Sequence, residues 1–168
     1  MTTATATSVY TRTHTATYLT EVILGSIGEL LAELGIKSDR LYDRWELDAA
    51  AIQQWIEEES LDTVVLECHQ PGGTVSPIVE FPVVYNAYGL GDKQFTAQRA
   101  KLARYRAKLA RVPEGTTFGI VCTFRTSYHT PMSGWTATSR ASTRGMRSTS
   151  FGVLATAPHA SASMRVLT

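Results

Sequence analysis

Cysteine and histidine are the side chains of this sequence that could attack a carbonyl carbon or activate such a nucleophile. Cys68 stands beside His69 in a strand-like run, where neighbouring side chains point to opposite faces, so these two cannot act together as nucleophile and base. Cys68 or Cys122 could meet His129 or His159 only through the fold, and no motif around these residues supports a Cys/His hydrolase. No Cys/His spacing is typical of a zinc site. We therefore expect a protein that is not an enzyme and that uses no metal or cofactor.

Phosphate neutralisation is the second chemistry that the residue types suggest. The run "RAKLARYRAKLAR" at 99–111 has an interleaved tyrosine, no acidic residue and six cationic side chains: Arg99, Lys101, Arg104, Arg106, Lys108 and Arg111. This pattern is compatible with a nucleic-acid-binding module. The same cations could instead form the polar side of an amphipathic helix whose apolar side is core, and we favour this interpretation. Nucleic-acid binding through 99–111 stays the alternative function.

Charge is divided unevenly along the chain. Residues 1–114 carry 11 Lys and Arg against 15 Asp and Glu, a net charge of −4, whereas residues 115–168 carry 5 Arg and no acid, a net charge of +5. The two parts should attract each other, or the last third should bind an acidic partner.

The C-terminal third is polar but keeps large apolar side chains. The stretch "TSRASTRGMRSTSFG" at 138–152 has three arginines, seven hydroxyl side chains and no acid. A disordered tail would not be expected to retain its apolar residues, which are Trp135, Phe151, Val153, Leu154, Met164, Val166 and Leu167. Trp135 lies in a loop between turns, so it must be held by packing against another part of the chain. We therefore expect this tail to dock on the rest of the protein.

The periodicity of the apolar residues predicts an α/β fold. Helices are predicted at 13–34, 48–59 and 92–112, with Asp48 and Asp92 as N-caps, and Gly25 and Gly28 are expected to allow close approach of another element. A mainly antiparallel sheet is predicted from strands at 63–69, 78–88 and 117–125, with two short strands in "SFGVLAT" and "SASMRVL". Pro82 should place its strand at a sheet edge or at a bulge.

No segment is long and apolar enough to span a membrane, and the N-terminus lacks a hydrophobic signal core. We therefore expect a cytoplasmic protein whose two cysteines are reduced rather than joined in a disulfide.

Several stretches resemble the HORMA domain, and in particular the bacterial HORMA proteins of CBASS antiphage systems. They are "YTRTHTATYLTEVILGSIGELLAELG", "DRWELDAAAIQQWIEE", "VVLECHQP", and in the tail "GW" at 134–135, "R.ST.GM" at 140–146 and "FG" at 151–152. The order of helix, helix, hairpin, helix, strand and long polar C-terminal segment is also similar to that family. The resemblance spans nearly the whole chain.

The resemblance implies a fold in which three helices pack on a mainly antiparallel sheet and the C-terminal segment acts as a safety belt. Such a belt lies in one arrangement when open and wraps around a short closure-motif peptide when closed. The implied domains are a flexible N-terminal segment at 1–12, a HORMA core at 13–126 and a safety belt at 127–168. The residues expected to contribute to belt docking or peptide binding are Trp135, Arg140, Met146, Phe151 and Met164.

By the same resemblance, the protein is a peptide-binding sensor. When closed around its peptide it would bind and activate a cGAS/DncV-like nucleotidyltransferase in antiphage signalling. A HORMA-remodelling AAA+ ATPase would open it again by gripping the flexible N-terminus, and the resemblance leaves open a second HORMA protein as a further partner. The sensor itself would carry out no reaction.

Overall fold

The longest element of the fold is a helix that forms the centre of the core. A computed structural model of the chain describes residues 2–86 and 94–168, with side chains from residue 11 onward. The helices are α1 (Thr2–Leu34), α2 (Asp39–Asp43), α3 (Trp45–Glu57) and α4 (Arg99–Arg106). An apolar stripe from Leu19 to Leu34 is buried along α1, which confirms the first predicted helix. Gly35 then ends the helix with a positive φ of 79°.

The predicted boundary at residue 13 falls inside α1, since the helix begins at Thr2. Most of the predicted flexible segment at 1–12 lies outside the residues whose side chains are described, and its flexibility stays a prediction.

A close approach between helices occurs at Gly28 but not at Gly25. A Cβ atom at Gly28 would lie 2.9 Å from the hydroxyl oxygen of Tyr42, near the end of α2. A Cβ atom at Gly25 would meet nothing within 4 Å, so the expectation was wrong for that residue. Gly28 therefore allows α2 to lie against α1.

Helix α3 corresponds to the predicted helix at 48–59 but begins earlier, at Trp45, and Asp48 is not its N-cap. Arg44 occupies the capping position, and no side-chain hydrogen bond caps the helix. Asp48 lies one turn inside α3 and is buried, with its carboxylate 3.2 Å from the guanidinium of Arg44. The buried face of α3 includes Ile52, Trp55 and Ile56, which are all in the core.

Within the described residues, six strands form one antiparallel sheet in the order β3-β5-β6-β2-β1-β4. They are β1 (Leu61–His69), β2 (Val75–Tyr85), β3 (Thr96–Ala97), β4 (Thr117–Phe124), β5 (Ser148–Ala157) and β6 (Ala160–Leu167). Pro82 does not mark a sheet edge, because β2 lies between β1 and β6. The pairs that join β2 to β6 instead omit Phe81 and Pro82, which accommodates the missing donor of the proline.

Alternate residues of the central strands face two different apolar clusters. Val64, Leu66 and Cys68 of β1 join the main core beneath the helices. Val65 of the same strand joins a smaller cluster with Ile78 and Leu167. The sheet therefore has a helix-covered face and an opposite face, called the outer face below.

The predicted helix at 92–112 is much shorter in the structure, where α4 covers Arg99–Arg106. Thr96 and Ala97 pair with β5, and at the other end the amide of Val112 donates to the carbonyl of Leu34. These long-range hydrogen bonds replace the local ones that would have continued the helix. The proposed cap at Asp92 lies outside the described residues, and Phe95, which directly precedes β3, is 42% exposed.

Candidate functional site

The last strand of the sheet, β4, has one edge without a strand partner in the described part of the chain. It pairs with β1 along one side and stands at the end of the strand order. Backbone N–H and C=O groups along such an edge can pair with an added strand. All of its residues from Phe118 to Phe124 are half-buried, so another segment partly covers them.

The covering segment is the connection from β4 to β5, residues 127–147, which we call the crossing segment. Near its start, Trp135 packs edge to face on Trp55 of α3, with ring centroids 5.2 Å apart. Further along, Ala141 and Met146 pack against the outer-face cluster of Val65, Ile78 and Leu167. The chain therefore passes from the helix-covered face to the outer face around the free edge of β4.

Two neighbouring cavities lie between this free edge and the crossing segment, and together we call them the groove. The larger, the aromatic pocket, has a volume of about 390 Å³, and its lining includes Trp55, Cys122, Phe124, His129, Met132 and Trp135. The smaller, the polar pocket, has a volume of about 210 Å³, and its lining includes Arg40, Arg44, Asp48, Phe118, Trp135 and Thr136. Trp135 lines both cavities, and its buried indole Nε1–H has no acceptor among the described residues.

On the helix-covered side, polar contacts hold the crossing segment at Thr130 and Gly134. The indole nitrogen of Trp55 donates to the carbonyl of Thr130 at 2.7 Å, and Glu58 accepts from the amide and hydroxyl of Thr130 at 3.0 and 2.7 Å. Arg44 donates to the carbonyl of Gly134 at 2.9 Å. Burial alone would raise the pKa of Glu58, but the hydrogen bonds from Thr130 and Ser60 outweigh it and lower that pKa.

On the outer face, two buried carboxylates hold the second half of the crossing segment. Glu80 of β2 accepts from Arg140 at 3.1 Å and from Arg165 of β6 at 2.9 and 2.5 Å. Glu67 of β1 accepts from the amide of Ala141 at 2.5 Å. The contact of Glu80, in the acidic first part of the chain, with Arg140 and Arg165, in the basic last part, is the attraction expected from the uneven distribution of charge.

Burial also opposes ionisation of Glu80, yet hydrogen bonds and charge from Arg165 and Arg140 outweigh that effect and lower its pKa. A lowered folded-state pKa means that the contribution to stability is complete above the ordinary value of 4.5 and is lost as pH falls through the folded-state pKa.

We therefore expect the free energy of unfolding to decline as pH falls below 4.5, with Glu58 and Glu80 both contributing. Urea unfolding at a series of acidic pH values measures this decline. A Glu80→Gln variant should show a shallower decline than the wild type, because glutamine has no proton to gain. Equal slopes for the two proteins would contradict the assignment to Glu80.

The five residues singled out in the sequence occupy two regions. Three of them, Trp135, Arg140 and Met146, lie in the crossing segment. Trp135 lines the groove, Arg140 donates to Glu80, and Met146 packs against the outer-face cluster. Phe151 and Met164 lie in the β5–β6 hairpin and are buried in the main core at 4% and 1% exposure. Their role in belt docking or peptide binding stays a prediction.

Sequence reasoning missed the acidic partners of the crossing segment. None of Glu58, Glu67 and Glu80 was singled out in the sequence. A signal was present for the last two, because each is a carboxylate with an apolar residue on both sides of it in a strand. Charged residues are rarely buried without partners, so such positions indicate a contact with a distant cation or amide.

The hairpin is docked by polar contacts as well as by its apolar residues. The hydroxyl of Thr15 on α1 donates to the carbonyl of Pro158 in the turn between β5 and β6. At the other strand end, Arg147 and Thr168 exchange two backbone hydrogen bonds of 2.7 and 3.0 Å. Lys101, which belongs to the basic run at 99–111, donates to the carbonyl of Phe151 at 2.7 Å.

Part of the basic run at 99–111 is used inside the protein. Besides the contact of Lys101, the Arg106 guanidinium lies 3.8 and 3.9 Å from the carboxylates of Glu29 and Glu33 on α1. Arg99, Arg104 and Lys108 are exposed. These contacts favour the interpretation of the run as the polar side of a docked helix over that of a nucleic-acid surface.

The cysteine and histidine side chains do not assemble a nucleophile with its base among the described contacts. His129 stacks on Phe124 with ring centroids 3.5 Å apart, and Cys68 is fully buried in the core. Burial raises the pKa of Cys68 to about 12, and burial also raises the pKa of Cys122. In the part of the chain that the structure describes, no group of three His, Cys, Asp or Glu residues could hold a metal ion.

Both thiols should therefore react slowly with iodoacetamide at neutral pH, because the thiolate is the reactive form. Mass spectrometry of the folded protein should find little modification at Cys68 or Cys122, whereas the same protein in urea should be modified at both. Modification of Cys122 at the unfolded rate in the folded protein would contradict the raised pKa of its thiol.

No helix in the described ranges combines the length and apolar character needed to cross a membrane.

The architecture is similar to that of solved structures. A chain of the mitotic checkpoint complex superposes with a TM-score of 0.71 at 12% identity, covering 90% of this chain and 97% of that one. C. elegans HTP-2 bound to a HIM-3 closure motif superposes with a TM-score of 0.68 at 13% sequence identity, covering 89% of this chain and 88% of that one. A chain of an E. coli CdnC:HORMA-deltaN complex superposes with a TM-score of 0.59 at 9% sequence identity, covering 92% of this chain and 87% of that one. These likenesses define the class of the protein as the HORMA fold.

The chain belongs to the bacterial HORMA domain 2 family, whose model matches residues 4–167. No curated protein sequence shows significant similarity to it. The prediction of a HORMA-like α/β fold is thereby confirmed.

Proposed function

We propose that this protein is a peptide sensor whose groove binds a closure-motif peptide as an additional strand on β4. The observation that carries the proposal is the free edge of β4, which faces the crossing segment across two open cavities. An extended peptide there would gain backbone hydrogen bonds from β4 and side-chain contacts from the pockets. The relation to HTP-2, solved with a closure motif in place, supports this use of the fold.

The proposed role of residues 127–168 is that of a safety belt. The crossing segment is held by separate polar contacts on the two faces of the sheet, rather than by continuous core packing. Such a segment can leave one docked arrangement for another at moderate cost, which a two-state sensor requires. The peptide then supplies the difference in binding free energy between open and closed states.

The proposed output is the activation of a cGAS/DncV-like nucleotidyltransferase of a CBASS antiphage system. The support is the likeness to the HORMA chain of the E. coli CdnC complex together with family membership. We propose further that a HORMA-remodelling AAA+ ATPase reverses closure by gripping residues 1–12, and that the chain itself catalyses no reaction.

The test is co-purification of the full chain with the candidate nucleotidyltransferase, with and without selected peptides, followed by measurement of cyclic-nucleotide synthesis. Peptide-dependent complex formation and synthesis are the expected results. A truncation after Thr126 should abolish both, because it removes the crossing segment together with the core strands β5 and β6. Unchanged peptide and enzyme binding by the truncated chain would show that the belt assignment is wrong.

A further inference from the structure

The two pockets of the groove differ in chemistry, and this difference selects among peptides. The aromatic pocket is closed on one side by Trp55, whose ring packs edge to face on those of Phe124, His129 and Trp135 at centroid distances of 4.9, 5.7 and 5.2 Å. Its volume of about 390 Å³ is enough for one large aliphatic or aromatic side chain. A charged side chain placed there would lose hydration without gaining a partner.

The polar pocket is rich in hydrogen-bond donors and has a net positive lining. Arg40 is exposed and makes no ion pair with any described residue, while Arg44 already contacts Asp48 and the carbonyl of Gly134. The two guanidinium groups exceed the single carboxylate of Asp48 by one charge. The indole of Trp135 lines this pocket too, and its buried Nε1–H is a donor without an acceptor among the described residues. A carboxylate would satisfy these groups.

The strand geometry fixes how far apart the two side chains must be. Phe118, Ile120, Cys122 and Phe124 alternate along β4 and face the helices. The aromatic pocket is lined by β4 residues from Ile120 to Phe124, and the polar pocket by those from Phe118 to Ile120. The midpoints of these two runs are about three residues, or roughly 10 Å, apart. Because both pockets reach Ile120, the nearest same-face positions that can enter the two pockets are two residues apart. A peptide strand paired with β4 would present its own positions two apart to these neighbouring pockets.

We infer that the groove recognises an extended peptide that carries a large apolar side chain and, two positions away on the same face, an aspartate or glutamate. The apolar side chain fills the aromatic pocket, and the carboxylate contacts Arg40 and the indole N–H of Trp135. The pattern holds in either chain direction, since the free edge of β4 can pair with a parallel or an antiparallel strand. This inference rests on the proposed peptide-sensing function and names the chemistry of its ligand.

The test uses the full chain and fluorescently labelled synthetic peptides of Ser, Thr and Ala that contain one Leu or Phe and one Asp or Glu. The two side chains stand two positions apart in either order, and control peptides of the same composition place them three positions apart. Fluorescence anisotropy after incubation to equilibrium gives the affinities. We expect one of the two orders to bind about tenfold tighter than its three-position control.

Charge reversal identifies the partner of the carboxylate. Arg40→Glu should weaken binding of the preferred peptide by about tenfold, and a peptide with lysine in place of the acid should regain affinity for this variant. Lys37→Glu is the matched control, because Lys37 is an exposed cation in the loop before α2 that does not line the groove. Trp135→Phe keeps a ring but removes the N–H donor, and it should weaken the acidic peptide about three- to tenfold.

The outcomes separate this inference from the function on which it rests. Peptide binding that is independent of spacing and unaffected by Arg40→Glu would overturn the recognition pattern while leaving peptide sensing intact. Failure of every peptide to bind the full chain would overturn both.

Discussion

Replacing Phe151 with alanine should lower the free energy of unfolding by about 3–4 kcal/mol. The ring is 4% exposed, packs edge to face on Tyr105 of α4 at 5.7 Å, and lies 4.6 Å from the ammonium group of Lys101. Truncation would leave a cavity between β5 and α4 and remove the cation–π contact. Urea unfolding monitored by tryptophan fluorescence measures the change.

Val153→Ala is the matched control for this effect. Val153 stands two residues along the same strand but is 45% exposed, so its truncation should change stability by less than about 0.5 kcal/mol. Similar losses for the two variants would mean that the hairpin is held through its backbone rather than through Phe151. A small loss for both would place the hairpin outside the cooperative fold.

The second large effect is expected at Glu80. Glu80→Gln should destabilise the docked crossing segment by about 2–3 kcal/mol, because Arg140 and Arg165 both lose their charged acceptor. The carboxylate is only 5% exposed, so solvent replaces little of the lost interaction. Hydrogen exchange should report the loss as faster exchange of the amide of Ala141, the residue that follows Arg140 and itself donates to Glu67.

Glu114→Gln serves as the control, since Glu114 is an exposed acid in the loop before β4. It should leave both exchange at Ala141 and the free energy of unfolding unchanged. Exchange at Ala141 that is equally slow in the Glu80→Gln variant would contradict a role for Glu80 in holding the crossing segment.

The sequence predicted most of the elements because their apolar periodicity is local. The stripe on α1 and the alternation in β4 depend only on neighbouring residues, and both are present in the structure. The third predicted helix was too long because its ends are set by distant partners, namely β5 at Thr96 and the carbonyl of Leu34 at Val112. Helix propensity contains no information about such partners.

The candidate site was less accessible to sequence reasoning for the same physical reason. Trp135 was singled out because a large ring in a polar loop requires a packing partner, and it lies against Trp55. Arg40 and Cys122, which line the groove with Trp135, are distant from it in sequence. Their sequence surroundings do not differ from those of an ordinary surface arginine and an ordinary strand cysteine. The fold alone brings them together.

The path of the crossing segment around the edge of β4 has a consequence for residence time. A peptide lying between β4 and this segment would be enclosed on both faces of the sheet, so it could not leave sideways while the contacts of Thr130 and Arg140 persist. Its dissociation rate would then be set by the opening of the enclosure rather than by its own contacts. Affinity differences between related complexes usually lie in the dissociation rate. Here, peptides that differ widely in equilibrium affinity should instead share one slow dissociation rate and differ in their association rates.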